Sequence, residues 1–277
     1  MKLRKIGLSA LAAVAVSGVL ALASCGKGST TTTGTGTQAT TTSQATTTTT
    51  EVNDVLSYAE YVATADGETV TISGIISGRC TFDTSKNAAS FYLQDQDGGY
   101  YIYNLPCTAT EYEETLTVGT EIKVTGYKTS WSGEVEIAGS QAGEEATFEV
   151  IGTGSVEAKL VTMDGLADVP NQYVKLENLT VVGQTDANEN TLACFHNWDN
   201  SGTSSIGTDL YYTVTDGTTT YQFVVEAWLE NTQYGSETYQ AVEGLSIGDI
   251  INIEGFAYTY NNPQVQTTKV TVVNQSK

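Results

Sequence analysis

The chain has 277 residues, room for two domains of roughly 100 residues each, and carries 32 acidic against 12 basic side chains for a formal charge of −20. All the acids but only 8 of the bases fall at or after residue 51, so that portion bears −24 and lacks the excess of Lys and Arg that usually holds a phosphate backbone. A single histidine leaves little for zinc or proton-transfer chemistry.

At the N-terminus, Lys2, Arg4 and Lys5 precede an apolar run of small residues from Ile6 to Leu22, which ends in Leu22-Ala23-Ser24-Cys25. A basic segment, an apolar segment and a small-residue cleavage site make an export signal rather than part of a fold. The tetrapeptide resembles the lipobox of bacterial lipoproteins at every position. That resemblance implies a signal peptide over residues 1–24, lipidation at Cys25, and residence at a bacterial cell membrane, lipid-anchored on its extracytoplasmic face. An ordinary secretory signal or a short membrane anchor is the competing reading. Residues 25–50 then form a linker, in which 14 of the 21 residues from 30 to 50 are Thr. Without charges, aromatics or large aliphatics, residues 30–50 cannot offset their ordering entropy and are expected to be a disordered tether with a coil dimension of about 25 Å.

The body reads as short strands in chain order. Residues 68–78, E-T-V-T-I-S-G-I-I-S-G, alternate apolar and polar, and residues 90–94 and 100–104 flank the turn Asp95-Gln96-Asp97-Gly98-Gly99 as a hairpin. Residues 118–127 and 134–138 complete five strands, with a crossover over 105–117. The same order returns in residues 173–183, 209–215, 219–228, 247–256 and 265–273, with a crossover over 230–246. Residues 118–127 read V-G-T-E-I-K-V-T-G-Y and residues 247–256 read I-G-D-I-I-N-I-E-G-F, 129 positions apart and alike in type at every patterned site. The expected fold class is all-β: two tandem five-stranded OB-like Greek-key barrels after the signal and tether. The first spans 51–146, a connector 147–160, and the second 161–277. A pair of β-sandwiches is the competing architecture.

Tyr58-Ala59-Glu60-Tyr61-Val62, Asp66 through Gly74, Phe91-Tyr92-Leu93-Gln94-Asp95 and Val118-Gly119 together resemble the OB-fold modules of bacterial surface lipoproteins and those beside extracellular nucleases. The connector around Val150-Ile151-Gly152-Thr153-Gly154 is similar to their tandem arrangement. These motifs specify a barrel and imply no reaction.

No catalytic constellation emerges, and no enzyme activity or cofactor is expected. Cys194-Phe195-His196-Asn197-Trp198-Asp199 gathers ligand types without the spacing or the second cluster that zinc requires, so no metal is expected. The Asp95-Gln96-Asp97-Gly98 stretch suits a hairpin turn better than a calcium loop, since the later acidic positions are missing. Cys25 would be consumed by lipid. In an exported protein Cys80 and Cys107 are candidates for a disulfide, which leaves Cys194 free.

Aromatic residues are the better lead. Alternation that sends Phe91, Leu93, Tyr100 and Ile102 inward sends Tyr92, Tyr101 and Tyr103 outward, onto the strands where OB folds stack bases or sugars. The 129-residue offset sets Trp131 against Tyr260, each at a hairpin tip, with Tyr258 nearby. The second repeat shows a weaker platform of Tyr211, Thr213, Gln222, Val224 and Glu226. The expectation is a non-enzymatic, membrane-anchored extracellular protein that captures a neutral polymer, a glycan, or a protein partner through Tyr92, Tyr101, Tyr103, Trp131, Tyr258 and Tyr260. Charge places glycan or protein ahead of nucleic acid. The alternative is a nucleic-acid-binding accessory lipoprotein of an extracellular nuclease or uptake system. Cys25→Ser is expected to abolish incorporation of labelled fatty acid and release the protein from membranes, as read by metabolic labelling and fractionation; continued labelling would refute the lipobox.

Overall fold

The computed structural model describes residues 55–141, 143–186, 189–196 and 208–276. The expected signal, Cys25 and the linker lie outside the described residues, as do Asn197, Trp198 and Asp199. Glu51–Lys277 forms one compact unit. Among the described residues no helix is long and apolar enough to cross a membrane.

The unit begins with α1 (Tyr58–Ala63), started by a capping box in which Ser57 accepts from the Glu60 amide and the Glu60 carboxylate accepts from the Ser57 amide. Strand β1 (Thr69–Arg79) alternates buried and half-buried positions, which seats Val70, Ile72 and Ile76 in a core. After it come β2 (Ala88–Gln94), β3 (Gly99–Pro106), α2 (Ala109–Glu114), β4 (Thr120–Trp131) and β5 (Glu134–Ala138). The pairing order β1-β2-β3-β5-β4 closes through β1–β4, and β3–β5 is parallel. This is a closed five-stranded barrel of OB-like topology. Helix α2 opens with a second capping box, Thr108 with Glu111, and sends Tyr112 into the barrel core, with Leu116 following it.

A further strand, β6 (Thr147–Thr153), pairs antiparallel with β4 from Thr125↔Thr147 to Thr120↔Thr153. The expected connector 147–160 is therefore partly a strand of the first sheet. Its burial does not alternate, which is why its pattern carries no strand signal. The second sheet contains β7 (Tyr173–Val182), β8 (Leu210–Thr215), β9 (Thr220–Val225), β10 (Ile250–Tyr260) and β11 (Asn262–Asn274). Helix α3 (Glu237–Glu243) lies in the crossover between β9 and β10. The pairing order β8-β9-β11-β10-β7 returns on itself through β7–β8, around a separate apolar core.

Backbone geometry explains the repeated ten residues. Gly119 and Gly248 hold φ of +96° and +91° in the turns that start β4 and β10, a region closed to most side chains. The later glycine allows close packing: a Cβ on Gly126 would stand 2.6 Å from Ile137 Cγ2, and one on Gly255 2.3 Å from Gln266 O. At Tyr127 strand β4 pairs with both Thr69 of β1 and Ala138 of β5, and Gly126 marks the point where β5 follows the Thr147–Thr153 segment, whose pairing with β4 ends at Thr125.

The two sheets meet across a buried junction. Tyr92 of β2 stacks on Phe256 of β10 at 4.1 Å with planes 3° apart, and its hydroxyl donates to Gln266 Oε1 at 2.7 Å in full burial. Gly78 leaves room for Phe256, since a Cβ there would meet the ring at 2.3 Å; Gly99 does the same for the Asn171 backbone at 2.4 Å. Arg79 grips both oxygens of Glu230 at 2.7 and 2.8 Å, while its other terminal nitrogen donates to Tyr112 O at 2.6 Å. The planar fork suits this bidentate bond. Phe256→Ala is expected to cost about 3–5 kcal/mol of unfolding free energy, and Trp131→Ala less than about 0.5 kcal/mol, measured by urea denaturation.

Candidate functional site

Strand alternation puts Phe91, Leu93, Tyr100 and Ile102 in the first core, as expected. The opposite face of β2 and β3 is not an open platform. Tyr92 is 0% and Tyr101 8% exposed, because the second sheet covers both; Tyr101 meets Tyr258 edge-on at 6.1 Å. Of the three tyrosines expected to face a ligand there, only Tyr103 remains exposed, at 43%. Alternation reports which side of a strand a residue takes and is silent on what packs against that side.

The open groove lies on the other sheet. About 540 Å³ of space is bounded by Tyr211 of β8, Tyr221, Gln222 and Val224 of β9, Tyr258 and Tyr260 of β10, Gln264 of β11, and Trp131 from the first barrel. Trp131 reaches it because the β4–β5 hairpin turns on Ser132 and Gly133, both with positive φ, as a two-residue loop requires. Its tip is tied across by the Asn261 amide, which donates to Ser132 O at 2.8 Å. Trp131 and Tyr260, 62% and 49% exposed, thus line one groove from different sheets. A smaller space of about 280 Å³ shares Glu226 and Tyr258 with it and is lined as well by Tyr101, Tyr103, Trp228 and Lys86. The weaker platform anticipated in the second repeat is the one that stays open: Tyr211, Gln222, Val224 and Glu226 all line the groove, whereas Thr213 is buried.

Three carboxyls surround Tyr258. Glu134 is fully buried; its Oε2 accepts from the Thr259 amide at 2.8 Å, and its Oε1 has no partner among the described residues. Asn171 Oδ1 is likewise unpaired while its amide nitrogen donates to Val135 O. Burial pushes Glu134 up to about 7 against the opposing hydrogen bonds, and burial alone does the same for Glu136. Glu226 rises to about 7 through burial first and the charge of Asp209 second. Burial, followed by these three carboxyls, raises the Tyr258 phenol. The basic side chains of the first barrel are all engaged. Arg79 holds Glu230, Lys86 holds Asp83, Lys123 holds Glu149, and Lys128 Nζ donates to the carbonyls of Tyr61, Val62 and Thr64 at the end of α1.

Cys80 and Cys107 are free thiols, which corrects the candidate disulfide. Cys80 packs at the junction near Tyr92 and Tyr101, while Cys107 packs in the first core, so the two serve different interiors. Burial pushes their thiols up to about 12 and about 11. Cys194 packs against the second core, and His196 Nδ1 lies 3.3 Å from the Tyr239 hydroxyl. Among the described residues no group of His, Cys, Asp and Glu could hold a metal ion. At the Asp95 turn, Oδ1 accepts from the Asp97 and Gly98 amides, the hairpin role expected of it.

No family model matches the chain, and no curated protein matches it. Among solved structures, a murine DNA-binding protein bound with double-stranded DNA matches at 12% identity and a TM-score of 0.36, covering 76% of this chain and 98% of that one. The Ifi202 HINa domain in complex with 20-bp double-stranded DNA matches at 8% identity and 0.33, covering 75% and 95%. A replication protein A heterotrimer bound to single-stranded DNA matches at 11% identity and 0.28, covering 75% of this chain and 49% of that one. The expected order of partners, with glycan or protein ahead of nucleic acid, is corrected by these DNA-bound matches and is withdrawn.

A carboxyl whose pKa is higher folded than unfolded binds more protons in the folded state, so stability falls as pH rises from the unfolded value near 4.5 toward 7. The protein is therefore expected to melt at a lower temperature at pH 8 than at pH 5. Glu134→Gln should narrow that gap by on the order of 5 °C, as its amide can donate toward Asn171 without charge. Scanning calorimetry at both pH values checks this, and an unchanged gap would place the titration elsewhere.

Proposed function

We propose that the chain is a nucleic-acid-binding protein that takes unpaired bases into the groove between Trp131 and Tyr258–Tyr260. The observation that carries this reading is a single open groove lined by Trp131, Tyr211, Tyr221, Tyr258 and Tyr260, with the amides of Gln222, Asn262 and Gln264 between the rings. Every base offers a π-face, and stacking on an aromatic contributes about 1–3 kcal/mol per base. Asparagine and glutamine side chains match the donor and acceptor edges that stacked bases present. A duplex hides its base faces, so single strands are the form this groove suits.

In this reading the fold is a tandem pair of OB-like barrels, residues 51–146 and 161–277, whose junction covers the ligand face of the first and leaves that of the second open. The protein acts without catalysis. Tethered by lipid at Cys25 through its threonine-rich segment, it captures nucleic acid outside the membrane as an accessory to a nuclease or an uptake system.

The charge of the body shapes how such binding works. With its basic side chains engaged in ion pairs and helix capping, the first barrel offers phosphates little counter-charge, and affinity rests on bases. The net negative body repels a polyanion, and salt screens that repulsion. Affinity for single-stranded oligonucleotides is therefore expected to stay flat or rise between 50 and 300 mM salt, against the steep fall that phosphate neutralisation produces. Trp131→Ala is expected to weaken binding by about tenfold, in line with the loss of one stacked base. Fluorescence anisotropy with labelled single- and double-stranded 12-mers measures both. No binding by single strands, or binding untouched by Trp131→Ala, would refute the groove.

A further inference from the structure

Glu226 follows β9 and lines both of the neighbouring spaces. It is half-buried among aromatic rings, and among the described residues no hydrogen-bond donor reaches its side-chain oxygens. Its neighbours are otherwise satisfied. Asp209 Oδ1 accepts from the Ala227 amide at 2.7 Å and Oδ2 from the Tyr211 hydroxyl at 3.2 Å. The Glu226 backbone carbonyl is used as well, by the Leu229 amide and the Thr232 hydroxyl. A carboxyl held in place by its backbone, sunk in a groove and left without donors asks the ligand to supply them.

Resting on the nucleic-acid reading, we propose that Glu226 is the base-selecting residue of the groove, accepting paired hydrogen bonds from the N1–H and N2–H edge of guanine. Among the common bases guanine alone presents two adjacent donors, which match the two acceptors of an ionised carboxylate. Adenine, cytosine and thymine each pair a donor with an acceptor, so one contact with a carboxylate is repulsive. A base lying on Tyr258 or Tyr211 brings its edge to the floor where Glu226 stands. The residue is the counterpart, for a donor–donor edge, of the amides of Gln222 and Gln264 for mixed edges.

Protonation changes what Glu226 can read. A neutral carboxyl offers one donor and one acceptor and accommodates every base, so selection should appear above neutrality and fade below it. The groups facing Glu226 are Asp209 ahead of β8, Tyr211 of β8, Tyr101 of β3, Cys80 after β1 and Tyr258 of β10, with Glu134 and Glu136 of β5 behind Tyr258. The phenols of Tyr101, Tyr211 and Tyr258 and the Cys80 thiol are all raised and stay neutral up to pH 8. Over pH 5.5–8 the shifted groups that change charge are the three carboxyls, and of these Glu226 alone lines the groove.

The test uses the full-length chain in unlipidated form, carrying Cys25→Ser, with thymine 12-mers bearing one central guanine or one hypoxanthine, which lacks the N2 amino group. At pH 8 the guanine oligomer is expected to bind about tenfold tighter than the hypoxanthine one, within the 1–3 kcal/mol of a good bidentate contact. At pH 5.5 the two should agree within about twofold. Glu226→Gln should bring them within about twofold at both pH values, and Glu136→Gln, which removes the same charge behind the groove, should leave the guanine preference in place. A guanine preference that survives Glu226→Gln, or no preference in the unsubstituted body at pH 8, would overturn the inference while single-strand binding stands. Absence of binding by any oligomer would overturn the groove reading and this inference with it.

Discussion

The stacked pair of Tyr92 and Phe256 is the contact on which the rest of the arrangement depends. The rings lie 4.1 Å apart, Gly78 beneath them has no Cβ to interfere, and the Tyr92 hydroxyl finds Gln266 in a fully buried place. Aromatic pairs in this geometry add about 0.5–1.5 kcal/mol beyond the area they bury. The consequence reaches further than stability. Because β2 and β3 of the first barrel face inward on this junction, their tyrosines are spent on holding two sheets together, and the β4–β5 hairpin is brought beside Tyr260. A groove between Trp131 and Tyr260 exists only with that junction closed.

Much of this was legible in the sequence, and for a definite reason. Strand order, the position of the crossovers and the inward residues of the first hairpin follow from period-two alternation and from glycines at the turns, all of which are local. The repeated ten residues read correctly because Gly119, Gly126, Gly248 and Gly255 mark backbone constraints that no other residue meets. What failed was long-range. Tyr92 looks outward in the pattern and is outward of its barrel, yet another sheet lies there. Residues 147–153 looked like a connector since exposed Val150 and Ile151 break the alternation of an edge strand that borrows its pairing from β4. The Cys80–Cys107 pairing failed for the same reason, as nothing in the spacing says that Cys80 belongs to the junction.

Equivalent positions of the repeat show how one pattern supports two roles. Tyr127 and Phe256 occupy the same place, just after the second glycine. In the first barrel the hydroxyl of Tyr127 turns out to donate to Glu144 Oε2 at 3.0 Å, whereas Phe256, without a hydroxyl, is free to lie against Tyr92. One position further, the amides of Lys128 and Ala257 make the same bond, to Glu68 O and Gln172 O at 3.0 Å each, but only Lys128 adds a side chain that runs inward to cap the carbonyls of α1.

Charge is the remaining constraint, and burial tempers it. An acidic body that buries Glu134 and Glu136 at its junction and half-buries Glu226 raises the protonation range of each toward neutrality, so these three carboxyls contribute less negative charge near pH 7 than their number implies. The basic side chains of the first barrel work inside the fold, in a bidentate grip across the junction, in surface pairs and in a helix cap. In the proposed function, recognition is therefore left to aromatic faces and to the few polar groups beside them. That division is consistent with Trp131 and Tyr260 standing exposed at the rim while Glu226 and Tyr258 are half-buried, where each hydrogen bond counts for more.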